Sequence, residues 1–278
     1  LTEANGWSQT IEDVPTLLDC QVTEPNVPAG WALTSITPAG TFQSDHDEVV
    51  TVTVTNKRQV GAVKIAKAVV GDVAGASTEF TVDLDCAGTA YDRTAVALNE
   101  ANGWTATFGG IPTLVECQVS EPTVPEGWDL TSIAPAGKFT VGSGATVVVT
   151  VTNERLVGAV VVHKSVVGDV AGASAEFTVS LDCDGTAYDR SLVLNEGNSW
   201  TVFAMGIPTG VSCQVTEPAV PAGWSLTSVT PAGSFVVDDV ERAVAVDVVN
   251  SRDVGSVEVK KVVVGQDRLL ERLRRVMR

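Results

Sequence analysis

Histidine, methionine and tyrosine each occur only twice in 278 residues, aromatic residues make up 5% of the chain, and 18 basic residues face 34 acidic ones. Each scarcity excludes something. His46 and His163 stand at unrelated positions, so no histidine-based acid–base pair or metal centre recurs along the chain. The net charge of −16 favours solubility and repels nucleic acid and anionic membrane surfaces. No apolar run approaches the roughly eighteen residues of a membrane span. G-x-S-x-G, phosphate-loop and dinucleotide fingerprints are missing. Asp182, Asp184 and Asp189 lack the full pattern of a calcium loop, and Ala87 replaces Asp184 in the preceding copy. The expectation is a chain with no cofactor, no metal and no substrate turnover. The sequence opens inside a repeat at Leu1, so a leader or wall anchor is looked for outside these residues.

Cysteine is sparse as well, at five, and none are spaced as the C-x-x-C of a zinc site. Their placement follows a repeat. The stretch C-Q-V-[S/T]-E-P-x-V-P-x-G-W occurs at Cys20–Trp31, Cys117–Trp128 and Cys213–Trp224. The spacing is 97 residues from Cys20 to Cys117, from Asn56 to Asn153 and from Lys67 to Lys164, and 96 from Glu121 to Glu217. A period of that length is a whole domain, so the chain is a tandem array and not a solenoid. Residues 1–57 read as the C-terminal half of a truncated repeat, and 58–155 and 156–253 as complete repeats. Residues 254–278 read as the first strand of a further repeat followed by a basic tail. In that tail Leu269, Leu270, Leu273, Val276 and Met277 have helical spacing. Each complete repeat holds one L-D-C cysteine and one C-Q-V cysteine. Disulfides are therefore expected between Cys86 and Cys117 and between Cys183 and Cys213, with Cys20 left unpaired. Such bonds imply an oxidising compartment, outside the cell.

Within a repeat the apolar period is two, which is the mark of half-buried strands. Val160, Val162, Lys164 and Val166 share one face, and Phe177, Val179, Leu181 and Cys183 share another. Short strands broken by turns such as Pro135-Ala136-Gly137 predict an all-β chain of tandem Ig-like or prealbumin-like sandwiches with a short helical C-terminal tail. The same parity turns three polar residues inward. Lys67 continues the row of Val63 and Ile65, Lys164 that of its valines, and Lys261 that of Val257 and Val259. Glu121 follows Cys117 and Val119, and Glu217 follows Cys213 and Val215. Asn56, Asn153 and Asn250 extend the valine rows of the closing strands. A buried lysine–glutamate pair satisfied by asparagine is one reading of this pattern.

G-A-V-V-V-H-K-S-V-V-G, A-E-F-T-V, V-T-E-P-A-V-P-A-G-W and V-V-N, taken together, resemble the CnaB-type domain. This is a prealbumin-like sandwich of Gram-positive surface proteins and pilins. The cysteine pair departs from that family's usual pattern and is similar to repeats of actinobacterial surface proteins. The resemblance implies a self-made isopeptide bond. A lysine desolvated among valines becomes a neutral nucleophile, and a buried carboxyl donates its proton to the carboxamide under attack. The implied trios are Lys67, Glu121, Asn153 and Lys164, Glu217, Asn250. The resemblance further implies stalk or spacer modules of a bacterial surface protein, monomeric as an array and joined to the cell wall through regions beyond these residues. The alternative is a set of adhesin modules that bind an extracellular glycan or matrix protein. Loops as repetitive as the strands, Tyr-Asp-Arg and Pro-Ala-Gly among them, favour the stalk.

Overall fold

A computed structural model describes residues 1–71, 79–168, 176–184, 187–238 and 241–264. The helix expected over 266–278 lies outside the described residues. The chain divides into two compact units, Leu1–Leu156 and Val157–Arg278, and each holds one complete β-sandwich.

In the first unit the opening strand Val60–Val70 lies between the closing strand Thr146–Arg155 and the strand Thr105–Pro112, and Trp128–Ala134 lies at the far side of the closing strand. The second sheet places the L-D-C strand Phe80–Asp85 between Arg93–Leu98 and the motif strand Glu116–Thr123, which Phe139–Thr140 flanks. All pairings are antiparallel except one: the first and last strands of the sandwich run parallel, with Lys67 opposite Val151 and Val69 opposite Asn153. Valine dominates because a β-branched side chain fits the pleated, half-buried surface. Val63, Ile65, Val149 and Val151 from one sheet meet Val82, Leu84, Cys117 and Val119 from the other in a single core, each contributing about 1.5–3 kcal/mol by burial.

One glycine is required by contact. A Cβ on Gly61 would stand 2.5 Å from the Gly142 carbonyl oxygen, so the opening strand can approach the loop before the closing strand only without a side chain. In each copy of the motif the turn into the tryptophan uses a left-handed glycine, at Gly30, Gly127 and Gly223.

The second unit repeats this plan. Its opening strand Val157–Val167 runs parallel to the closing strand Val244–Arg252, and the motif strand Val211–Ala219 pairs with the L-D-C strand Phe177–Asp182 in the opposing sheet. Val161, on the outward row by parity, is nonetheless buried. Its cross-strand partner is Phe203, where the other unit pairs Lys64 with Thr107.

Residues 1–58 form two short ladders, Cys20–Gln21 with Thr41–Phe42 and Trp31–Thr37 with Thr53–Arg58. Several of their apolar residues are exposed, with Ile11 79% and Leu17 75% accessible, while Val22, Ile36, Phe42 and Val54 are half-buried.

Candidate functional site: a buried lysine, glutamate and asparagine

The lysine is positioned by its strand and by a strained turn. After the short 3-10 turn Glu100–Asn102, Trp104 takes a left-handed backbone, φ 60°, and its carbonyl accepts the Lys67 amide at 2.8 Å. Trp200, φ 59°, does the same for Lys164 at 2.8 Å. A non-glycine residue held at positive φ costs on the order of 1–3 kcal/mol and persists only where its surroundings enforce it. Lys67 thereby points into the sandwich from the middle of the first sheet.

Asn153 comes from the neighbouring closing strand. It lies two residues beyond the partner of Lys67 and on the same face, so the two side chains meet diagonally. Glu121 comes from the opposing sheet, on the inward row of Cys117 and Val119. Lys67 Nζ donates to Glu121 Oε1 at 2.7 Å and to Asn153 Oδ1 at 2.6 Å, and the lysine and glutamate side chains have no exposed surface. In the second unit Lys164 Nζ donates to Glu217 Oε1 at 3.2 Å, to Oε2 at 3.4 Å, and to Asn250 Oδ1. Burial pushes both lysines below their ordinary value of 10.5, and the glutamates oppose that shift through their charge and hydrogen bonds.

Three buried polar atoms of the two sites make no hydrogen bond: Glu121 Oε2, Asn153 Nδ2 and Asn250 Nδ2. The lysine and the carbonyl oxygen are satisfied, whereas the amide nitrogen in both copies is not. An orphaned buried donor costs about 1–3 kcal/mol.

Sequence parity missed the aromatic wall. Lys67 Nζ sits 4.1 Å from the Phe80 ring centre and Lys164 Nζ 4.4 Å from that of Phe177. Trp128 meets Phe80 edge-on at 5.3 Å, and Arg155 covers Trp128. Trp224, Phe177 and Arg252 repeat the stack. The available signal was the recurrence of phenylalanine at one repeat position, in E-F-T-V, but parity assigns such a residue only to the core.

Cys86 and Cys117 are bonded, as are Cys183 and Cys213, at sequence separations of 31 and 30. Cys20 is free. In residues 1–58, Asn56 Nδ2 donates to Glu24 Oε1 at 2.9 Å, while Glu24 Oε2 and Asn56 Oδ1 have no partner. Among the described residues no lysine completes this third pair. Nor do any three or more histidine, cysteine, aspartate or glutamate side chains among them form a group able to hold a metal.

The fold and the site define a tandem array of β-sandwiches, each disulfide-bonded and each holding a buried lysine, glutamate and asparagine. The chain belongs to the family described as Domain of unknown function (DUF5979), which matches residues 1–59, 63–155 and 160–253. No curated protein matches it. Among solved structures it is similar to the Bacillus anthracis TIE protein, at 17% identity and a TM-score of 0.48 over 77% of this chain and 38% of that one. It is also similar to two B repeat units of the collagen binding protein of Staphylococcus aureus, at 16% identity and a TM-score of 0.28 over 82% of this chain and 57% of that one. A third is the major pilin protein (T-13) of Streptococcus pyogenes, at 12% identity and a TM-score of 0.35 over 70% of this chain and 97% of that one. The chain thus spans less than two thirds of the length of the first two. The CnaB-type repeats that its sequence resembles are among its structural neighbours.

Proposed function

We propose that the chain supplies stalk modules of a bacterial cell-surface protein, and that residues 58–155 and 156–253 each close themselves with a Lys–Asn amide beside the disulfide. The observation that carries this reading is the placement of Lys67 Nζ 2.6 Å from Asn153 Oδ1 with Glu121 at 2.7 Å, all buried, and its recurrence at Lys164, Glu217 and Asn250. Burial among valines favours the neutral amine. Its lone pair attacks the carboxamide carbon of asparagine while the glutamate carboxyl supplies a proton to the departing nitrogen and recovers one from lysine. One C–N bond forms, one breaks, and ammonia leaves. The orphaned Nδ2 in both sites supports this, because the bond removes the atom that lacks a partner. No turnover follows, since the product is the protein itself.

The amide would join the first strand of a sandwich to its last. Tension applied at the two ends of a module would then run through a covalent link, which is what a spacer held away from a wall requires. The disulfides support an oxidising setting such as the cell surface. Intact mass of the reduced chain tests the bond, with about 17 Da lost per amide as ammonia. An unshifted mass overturns it and leaves a buried ion pair.

One observation favours a binding role for residues 156–253. Phe203 and Met205 are exposed at 60% and 69%, at positions where the preceding copy has Thr107 and Gly109. Reproducible affinity on a glycan and matrix-protein array, lost on Phe203→Ser with Met205→Ser, would establish an adhesin module in place of a plain spacer.

A further inference from the structure

The glutamate of each complete site stands in a β-bulge. Along the ladder between Phe80–Asp85 and Glu116–Thr123, Asp85 pairs with Gln118, Leu84 with Val119 and Asp83 with Ser120, but Thr81 pairs with Thr123. Glu121 and Pro122 therefore face the single residue Val82. In the second sandwich Ser180 pairs with Thr216 and Thr178 with Ala219, so Glu217 and Pro218 face Val179. A bulge of this kind bends its strand, raises the local twist and re-aims the side chains beside it.

Proline accounts for the extra residue. It has no N–H to give a ladder, and within a sheet it is confined largely to bulges, strand starts and edges. Regular pairing would set Pro122 opposite Thr81 and turn Thr123 inward. With the bulge, Pro122 leaves the register and Thr123 joins Thr81 on the outward row. The glutamate stays inside: Glu121 is buried with Pro122 and Thr123 exposed, and Glu217 is buried with Pro218 and Ala219 exposed. Neither proline ends its strand, which runs on to Thr123 in one sandwich and Ala219 in the other.

The bulge follows the site. On the other side of the same L-D-C strand the ladder is irregular in the first sandwich, between Val82 and Leu84, and regular in the second, whereas the irregularity at the glutamate occurs in both. Another repeated bulge faces the asparagine: Leu130 pairs with Asn153 and Ser132 with Thr152, as Leu226 pairs with Asn250 and Ser228 with Val249. Placement at the lysine leaves little slack, since Lys67 Nζ lies 2.7 Å from Glu121 Oε1, 2.6 Å from Asn153 Oδ1 and 4.1 Å from the Phe80 ring centre.

We infer that Pro122 and Pro218 are positioning residues: by denying the ladder an N–H, each holds the bulge that aims the neighbouring carboxylate at the lysine amine. The chemistry this placement serves is the amide proposed above, on which that part of the inference rests; the placement itself rests on the ladder. The proline makes and breaks no bond. It acts through the glutamate that carries the lysine proton to the departing nitrogen, and a misplacement of about 1 Å in such a group can cost up to about a hundredfold in rate.

Pro122→Ala returns an N–H to the strand and lets regular pairing compete with the bulge. The 278-residue chain is made by cell-free synthesis, and amide formation is followed with time through the cross-linked proteolytic peptides that join Lys67 to Asn153 and Lys164 to Asn250. Pro122→Ala should slow the first amide about tenfold to a hundredfold and leave the second at the wild-type rate, and Pro218→Ala should do the converse. Placement is read apart from the reaction by NMR titration of Lys67 in the unlinked Asn153→Ala chain. There Pro122→Ala should lower the lysine midpoint further, because the carboxylate that opposes the lowering has turned away; a loss of stability alone would leave the midpoint of the folded chain where it was. A wild-type chain that forms neither amide overturns the amide, and the titration still decides the placement. An unchanged Lys67 midpoint overturns the inference, and so does an unchanged rate in a chain whose wild type forms the amide.

Discussion

Asn153→Ala isolates the proposed amide. Lys67 and Asn153 are 86 positions apart, and the Cys86–Cys117 bridge shortcuts 31 of them. Closing the remaining loop constrains the unfolded chain by about 4 kcal/mol in the chain-entropy relation. That is a large part of the roughly 5–15 kcal/mol that holds a typical domain together. For a domain of this size each kilocalorie moves the melting temperature by about 4–8 °C, so the loss is expected to be about 15–30 °C. Scanning calorimetry reads it, and the other sandwich supplies an internal control: Asn153→Ala should lower one transition and leave the second in place, and Asn250→Ala should do the converse. Each variant should also lose one ammonia fewer than the wild type. A shift of only a few degrees, with wild-type and variant masses both free of any ammonia loss, would refute the covalent link.

Two further outcomes follow from the same geometry. In the unlinked Asn153→Ala chain, Lys67 remains buried with its folded-state pKa below 10.5. The unfolded chain then binds more protons between that lowered value and 10.5, so stability should rise with pH across the window and be level below it; thermal melts at stepped pH check this, and a falling trend there contradicts it. Reducing the disulfides of the linked protein should destabilise each sandwich by about 3–4 kcal/mol, the worth of loops of 31 and 30 residues in the same relation, without unfolding it, as measured by denaturant titration with and without reductant.

Much of the architecture was legible because its signals are local. Alternation along Val63, Ile65 and Lys67 states which way each side chain points, since neighbouring residues of a strand face opposite sides. The repeat made that inference three times over, and it placed the cysteines in pairs. Val161 shows where parity stops. It belongs to the outward row yet is buried, because burial depends on what stands across the ladder, and there Phe203 replaces the Thr107 of the other copy. The aromatic wall was invisible for a similar reason: nothing within E-F-T-V says that the ring will lie 4.1 Å from a lysine thirteen residues earlier.

By itself the sequence determined the tandem all-β class, the inward faces and the polar residues carried on them, all through a period of two and a period of about 97 residues. Only the tertiary structure decided that Lys67, Glu121 and Asn153 converge. Parallel pairing of the first strand with the last offsets Asn153 from Lys67 by one diagonal step, and packing of the second sheet brings Glu121 to 2.7 Å. Neither follows from local preference, because register and sheet packing are set by contacts between residues more than fifty positions apart, where the chain carries no short-range record of its partner.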